Sequence, residues 1–273
     1  MVPENTVAPP EGCVDTQVLD NILLIGINRP AKRNGITPVM LRQLADAYTR
    51  LDDDPDLRVG LLYAVGDHFT GGMDLPSLAE FQRRGEKPVP RDQNLVEPHD
   101  MGLPGYRRRT KPMVAAVKGI CFTVGVELML AADVVVAADN CRFTQMEVGR
   151  GIMAAGGATV RMAERAGVGN AMLLLLSGIE FNSADAMRMN FVQRVTPAGE
   201  EFAEALSIAR RIASQAPLAV IATRLNVRKS VEEGALAAVG EFMEVQKRLS
   251  ATEDAAEGRQ SFIERRPPVF VGR

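Results

Sequence analysis

Apolar residues in this chain come first as short unbroken runs closed by glycine-rich turns, and then, past about residue 200, at helical spacing. Val18 and Leu19, the turn pair Asp20-Asn21 and the run Ile22 to Ile27 predict a hairpin, which ends in the loop Asn28 to Asn34. A helix follows, capped by Thr37 with Pro38 in its first turn. Met40, Leu41, Leu44, Tyr48 and Leu51 recur at its buried spacing until Asp54-Pro55 stops it. Val59 to Val65 is short and apolar enough for a strand, and GDHFTGGMDL turns from it into a helix that starts near Asp74. The strand, turn, helix unit returns at residues 113 to 132, where Gly119 ends the run Val114 to Val117, and again, less sharply, at 134 to 166. A helix near 169 to 177, another from Ser183 and a short strand Phe191 to Val195 complete this part.

The stretch from Gly85 to Gly105 carries Pro88, Pro90, Pro98 and Pro104, which predicts an irregular surface loop able to cover a ligand. Beyond Pro197 the segments Glu200 to Ser214, Pro217 to Lys229, Val231 to Leu249 and Thr252 to Arg265 all read as helices, and Ser250 with Glu253 has the pattern of a capping box. The expected organisation is a disordered tail over 1–16, an α/β core with the active site over 17–198 and a helical part over 199–273. Helices at the end of a chain need a partner surface, either the core or another subunit.

With 273 residues and 46% apolar content a sizeable core is within reach. A net charge of -2 argues against a nucleic-acid footprint or a polybasic membrane patch. Arg107, Arg108, Arg109 and Lys111 form a local basic cluster, which reads as a solvated turn before it reads as an anion site. Cys13, Cys121 and Cys141 lack ligand spacing and only His68 and His99 are available, so no metal site or disulfide framework is expected. The opening MVPENTVAPPEG has no basic and apolar regions of a signal peptide, and the run Met172 to Leu176 is too short to span a bilayer. A cytoplasmic location is the expectation.

Two acids stand out against this background. Glu127 and Glu147 each sit in a glycine-rich stretch after an apolar β-like run. A carboxyl beside a tight turn and flanked by core residues is partly desolvated, which raises its pKa toward that of a useful general acid or base. Each has an ordinary reading too: Glu127 as a polar residue at a helix start, Glu147 as a cap for Val148 or an ion-pair partner of Arg150.

At this point the sequence resembles the crotonase, or enoyl-CoA hydratase/isomerase, superfamily from about Asn21 to the C-terminus. NRPAKRNGITPVM, FTGGMDL, KPMVAAVKG with GVELMLAADVVVAAD, RFTQMEVGRGI with GGATVRM, and FIERRPPVF stand in the family's order and spacing. The resemblance implies a crotonase-like spiral of ββα units with a C-terminal helical oligomerisation region, and homotrimers, often paired as hexamers. It implies an acyl-CoA thioester as substrate, with coenzyme A present only as part of it and no separate cofactor or metal. The peptide N–H groups of Met73 and Val124 would form the oxyanion hole. Glu127 would activate water for the β-carbon and Glu147 would protonate the α-carbon, giving reversible hydration of 2-enoyl-CoA to 3-hydroxyacyl-CoA. Lys32, Arg33, Gly71, Asp74 and Arg265 would contact the substrate or its CoA phosphates, Arg265 from a neighbouring subunit.

The chain departs from the family pattern at Thr123-Val124, where two further glycines are usual, and a positive φ at Val124 would strain a β-branched residue. Met73 replaces a common alanine, and Ala154-Ala155 replace the usual Pro-Gly. These departures bear on the acyl pocket and leave two alternatives open: an enoyl-CoA isomerase using one glutamate, and a non-catalytic acyl-CoA-binding protein.

Overall fold

A computed structural model describes residues 8–86 and 92–273. Residues 1–7 of the expected tail, and Pro88 and Pro90, lie outside the described residues. The chain builds a six-stranded sheet ordered β1-β2-β3-β4-β6-β9 and a three-stranded sheet ordered β5-β7-β8. In the large sheet β1 (Cys13–Leu19) and β2 (Ile22–Asn28) form the predicted antiparallel hairpin. β3 (Val59–Ala64), β4 (Met113–Val117), β6 (Val134–Ala138) and β9 (Arg194–Thr196) then add in parallel. The hairpin starts at Cys13, inside the stretch expected to be tail, because Val14 donates its amide to the Gln43 side chain and Cys13 pairs with Asn28.

Both faces of the sheet are covered, and for this reason its inner strands read as unbroken apolar runs. On one face Ile22, Leu24, Leu61, Tyr63, Val114 and Val136 pack against Phe202, Ala205, Leu206 and Ala209 of helix α7 (Glu201–Ala213). The other face carries Ile25, Ile27, Leu62, Ala115, Val117 and Val135. These pack against α1 (Pro38–Asp53), with Thr37 capping Met40 as expected, and against α3 (Val124–Ala131). Helix α3 is buried on every side, so its sequence shows no amphipathic stripe. It is the helical end of the unit formed by β4 and β5 (Ile120–Phe122). In the next unit β6 and β7 (Arg142–Thr144) lead through a 3-10 turn, Glu147–Arg150, to α4 (Ala158–Ala166). Helix α2 (Leu75–Arg83) closes the earlier unit after β3.

Helices α5 (Val168–Ser177) and α6 (Ser183–Arg188) flank β8 (Phe181–Asn182). The C-terminal part holds α8 (Pro217–Glu232), α9 (Ala235–Gly240), α10 (Phe242–Ser250) and α11 (Glu253–Glu264). The single helix expected over 231 to 249 is therefore broken at Gly234 and at Glu241. The cap of α11 is Thr252, whose hydroxyl accepts from Ala255 N–H, and not Ser250.

The basic cluster is neither a solvated turn nor an anion site. Arg109 is 1% exposed and bonds Asp133 Oδ2 at 2.9 Å, while Arg224 of α8 bonds Asp133 Oδ1 at 2.8 Å and Asp100 Oδ2 at 2.6 Å. Arg107 pairs with Asp53, Arg108 with Glu232, and Lys111 donates to Asp54 O. This ion-pair network straps α8 onto the core. The proline-rich stretch is also less of a surface loop than expected, because Val96, Glu97 and Asp100 are buried and Val96 N–H is held by Thr49 Oγ1.

Candidate active site

The turn after β3 and the turn before α3 meet. Gly72 (φ +109°) lies against Thr123, whose Oγ1 would stand 2.5 Å from a Cβ at that position, so only glycine permits the approach. On either side of Met73 the backbone is tied to Ile36, by Ile36 N–H to Gly72 O at 2.9 Å and Asp74 N–H to Ile36 O at 2.8 Å. In that parallel pattern the N–H of Met73 faces the other way. Val124 opens α3, where amides have no intrahelical acceptor. Among the described residues neither the Met73 nor the Val124 N–H donates to a protein group. Both residues line a cavity of about 490 Å³ together with Gly71, Glu127 and Glu147.

The strained residue in this turn is Thr123, at φ 49° and ψ -114°, and not Val124 as the sequence led one to expect. Its conformation is held from outside: Thr123 N–H donates to Thr144 O at 2.9 Å and the Gln145 amide donates to Thr123 O at 3.3 Å. The helix can then start at Val124 with regular geometry, so the β-branched side chain is accommodated.

Glu127 is 5% exposed in the first turn of α3. Its Oε1 accepts from Gly156 N–H at 2.6 Å and Ala158 N–H at 3.3 Å, two amides at the start of α4. Oε2 has no protein donor among the described residues. Gly156 has to be glycine: a Cβ there would lie 2.6 Å from Glu127 Oε2 and 2.7 Å from His99 Cδ2.

Glu147 stands across the cavity on the 3-10 turn. Its Oε2 is buried with no hydrogen-bond partner among the described residues. Burial, and next the negative charge of Glu127, push its carboxyl above the usual range. Arg150, its rival partner on sequence, lines the same cavity but makes no ion pair with it and donates to Gly149 O at 3.4 Å. A carboxyl with raised proton affinity facing one anchored by two amides is the arrangement an acid and base pair needs.

The remaining candidates divide. Lys32 and Arg33 are exposed beside the site, and Arg33 O accepts from Gly71 N–H at 2.8 Å. Both carboxylate oxygens of Asp74 have protein partners: Oδ2 pairs with Arg29 at 2.6 Å and Oδ1 caps α2 through Ser77 N–H at 3.0 Å. Burial raises its pKa, but the Arg29 and Ser77 bonds outweigh this and hold it near 2. Arg265 is exposed at the C-cap of α11 and lines no part of this cavity. Its role toward CoA was expected from a neighbouring subunit.

Two residues of the wall were unassigned on sequence. Glu97 accepts through Oε1 from both the His99 N–H and the ring Nδ1, each at 2.8 Å, and through Oε2 from Met101 N–H at 3.0 Å. Burial acts against its charged form, yet the His99 and amide hydrogen bonds hold its carboxyl below the usual range. His99 is 16% exposed and its Nε2 is buried without a partner among the described residues. Nothing in the spacing of this local pair marks it, since its place beside Gly156 and Glu127 depends on how the proline-rich stretch folds back toward α4. No group of His, Cys, Asp and Glu among the described residues could hold a metal ion, and no described helix is long and apolar enough to cross a membrane.

Comparison with known proteins shows the family. The family model for enoyl-CoA hydratase/isomerase matches residues 17–273. A mevalonyl-coenzyme A hydratase of Aspergillus fumigatus is 33% identical over 265 residues, covering 95% of each chain. A 2,3-dehydroadipyl-CoA hydratase of Escherichia coli is 32% identical over 252 residues, covering 92% of this chain and 96% of that one. An enoyl-CoA hydratase of Mycobacterium tuberculosis superposes with a TM-score of 0.86 at 36% identity, covering 97% of this chain and 100% of that one. The family-model match over residues 17–273, with these relatives and this fold, places this chain in the enoyl-CoA hydratase/isomerase family, the crotonase superfamily.

Proposed function

We propose that this chain catalyses the reversible addition of water to the double bond of a 2-enoyl-CoA, with Glu127 and Glu147 as the acid and base pair. The observation that carries this reading is that both carboxyls reach one cavity with an oxygen left unbonded by protein. In the hydration direction Glu127 takes a proton from water as the oxygen bonds to the β-carbon. The electron pair of the double bond moves toward the thioester, whose oxygen gains negative charge between the Met73 and Val124 amides. Glu147 gives a proton to the α-carbon, and the product is the 3-hydroxyacyl-CoA. Removal of water runs the same steps backward.

Fixed amide donors at the thioester oxygen contribute about 3 to 4 kcal/mol each in comparable sites. The position of Val124 at the N-terminus of α3 adds the helix dipole to its hydrogen bond. Exposed Lys32 and Arg33, the latter next to Gly71, would meet the CoA phosphates. The apolar side chains of Leu236, Met243, Phe262 and Ile263 stand exposed on the C-terminal helices and fit a homotrimer or a hexamer. A cytoplasmic location accords with the composition.

The test is incubation with a panel of 2-enoyl-CoAs, following loss of the conjugated thioester absorbance and the product mass. A gain of one water that disappears in both Glu127→Gln and Glu147→Gln supports the assignment. Lost conjugation at unchanged mass, with one glutamate dispensable, would replace it by double-bond isomerisation. Saturable binding without turnover of any member would replace it by acyl-CoA binding alone.

A further inference from the structure

The mechanism above leaves His99 without a task, although its ring is among the most tightly held polar groups of the cavity wall. Glu97 fixes it from behind: one carboxylate oxygen takes both the His99 amide and Nδ1, and the other takes the Met101 amide. A carboxylate so engaged makes Nδ1 the protonated nitrogen facing it, so the ring orientation is set. Nε2 is then the group left over, buried and unpaired among the described residues. Its neighbour in the ring, Cδ2, lies against Gly156 on the side where Glu127 Oε2 also lies, since both atoms come within 2.7 Å of the same point beside Gly156. The imidazole therefore borders the place where the acyl chain passes the glutamates.

Around it the wall is largely apolar. Leu41, Leu75, Leu103, Met73, Ile152 and Met153 line the cavity, with Arg150 and Thr123 among its polar members. A cavity meant for a plain hydrocarbon chain has no use for a buried, carboxylate-oriented imidazole, because an apolar ligand would leave its nitrogen unsatisfied. A hydroxyl suits it in either protonation state, donating to the lone pair of the neutral ring or accepting from the N–H of the imidazolium.

We propose that His99, oriented by Glu97, is a specificity-determining residue that hydrogen-bonds a hydroxyl group on the acyl chain, so that the preferred substrate is a hydroxylated enoyl-CoA. This rests on the hydratase reading of the same cavity and names the substrate class that reading leaves open. His99 binds and selects, while the proton transfers stay with Glu127 and Glu147.

The experiment compares kcat/KM for 2-pentenoyl-CoA, 5-hydroxy-2-pentenoyl-CoA and a 2-enoyl-CoA of similar length ending in a carboxylate, in the full chain and in His99→Leu, His99→Gln and Glu97→Gln. The unaltered protein should favour the hydroxylated substrate, and His99→Leu should lower kcat/KM for that substrate by about 100-fold or more while changing 2-pentenoyl-CoA less than about 3-fold. His99→Gln should recover part of the loss because its amide both donates and accepts, and Glu97→Gln should fall between. Equal loss on all three substrates in the leucine and glutamine variants would make the ring a packing support for Gly156 and overturn the proposal. So would an unchanged profile, or a His99-dependent preference for the carboxylated substrate.

Calorimetric binding of pentanoyl-CoA and 5-hydroxypentanoyl-CoA, saturated compounds that no hydratase can turn over, separates this inference from the hydratase reading. Tighter binding of the hydroxylated compound that is lost in His99→Leu would support the recognition role even in a protein that hydrates nothing. Equal binding of the two by the unaltered protein would overturn it even in an active hydratase.

Discussion

Gly156 donates its amide to Oε1 of Glu127 at 2.6 Å across a separation of 29 residues. One carboxylate oxygen is thereby fixed by backbone, and the other faces the cavity beside His99. The amide just ahead of the α4 N-cap, with that of Ala158 in its first turn, which the helix cannot satisfy internally, thus aims the side chain of α3.

Gly156→Ala should consequently damage catalysis more than its size suggests. The added methyl falls 2.6 Å from Glu127 Oε2 and 2.7 Å from the His99 ring, so the carboxylate has to turn away. A loss in kcat of about 100-fold is expected for a misplacement near 1 Å, with a stability loss of about 1 to 3 kcal/mol for overpacking. Steady-state kinetics and urea unfolding measure both, and an unchanged kcat would count against the aiming role of Gly156.

Glu147→Gln should abolish hydration while leaving the fold as stable as before or more so. The folded-state pKa of Glu147 lies above its unfolded value, so the native protein holds that proton more tightly. The contribution of this group to stability is full below the unfolded pKa and is lost as pH rises through the folded one. Wherever the group is ionised, the half-buried carboxylate is a burden that glutamine lacks. Melting temperatures at pH 7 should satisfy variant at or above parent, and the gap should close on acidification.

Thr123→Gly tests the strain in the oxyanion turn. A non-glycine residue in an unfavourable region costs about 1 to 3 kcal/mol, and glycine returns about 0.5 to 1 kcal/mol of that as unfolded-state entropy. The variant should be neutral to slightly stabilised, with the Val124 amide less firmly placed and kcat lowered. Destabilisation beyond about 1 kcal/mol would mean that the contact of Thr123 with Gly72 outweighs the strain.

Arg224→Ala removes the strap between α8 and the core. Asp100, 1% exposed, loses its 2.6 Å partner, and Asp133 keeps Arg109 and the Met113 amide. Breaking a buried ion pair from one side costs about 3 to 5 kcal/mol. Chemical denaturation should show a loss of that size, and hydrogen exchange should show it spread through α8.

The Arg29 pair with Asp74 gives a second pH signature. Asp74 sits near 2 in the folded chain, below its ordinary value of 3.8. Its contribution is present above the unfolded pKa and is lost as pH falls from about 4 toward 2. Asp74→Asn should flatten the acid limb of the stability curve in that interval, as followed by circular dichroism.

The hairpin, α1 with its Thr37 cap, the buried strands and the glycine turns were legible in the sequence because hydrophobic period and turn chemistry are local. The two glutamates and the two amides could also be located there, through family order and spacing along the chain. Other features were decided by tertiary structure. Strain fell on Thr123 because Thr144 and Gln145, from the neighbouring β unit, hold its backbone. Asp74 became a cap and an ion-pair partner, and Arg109 joined a buried ion-pair network with Asp133 and Arg224, once Arg29 and α8 were folded against them. Glu97 and His99 gained meaning only when the proline-rich stretch laid them over Gly156. Local pattern fixes which backbone shape a segment takes. Desolvation and pairing of a polar group depend on segments far apart in the chain, and those appear only when the core closes.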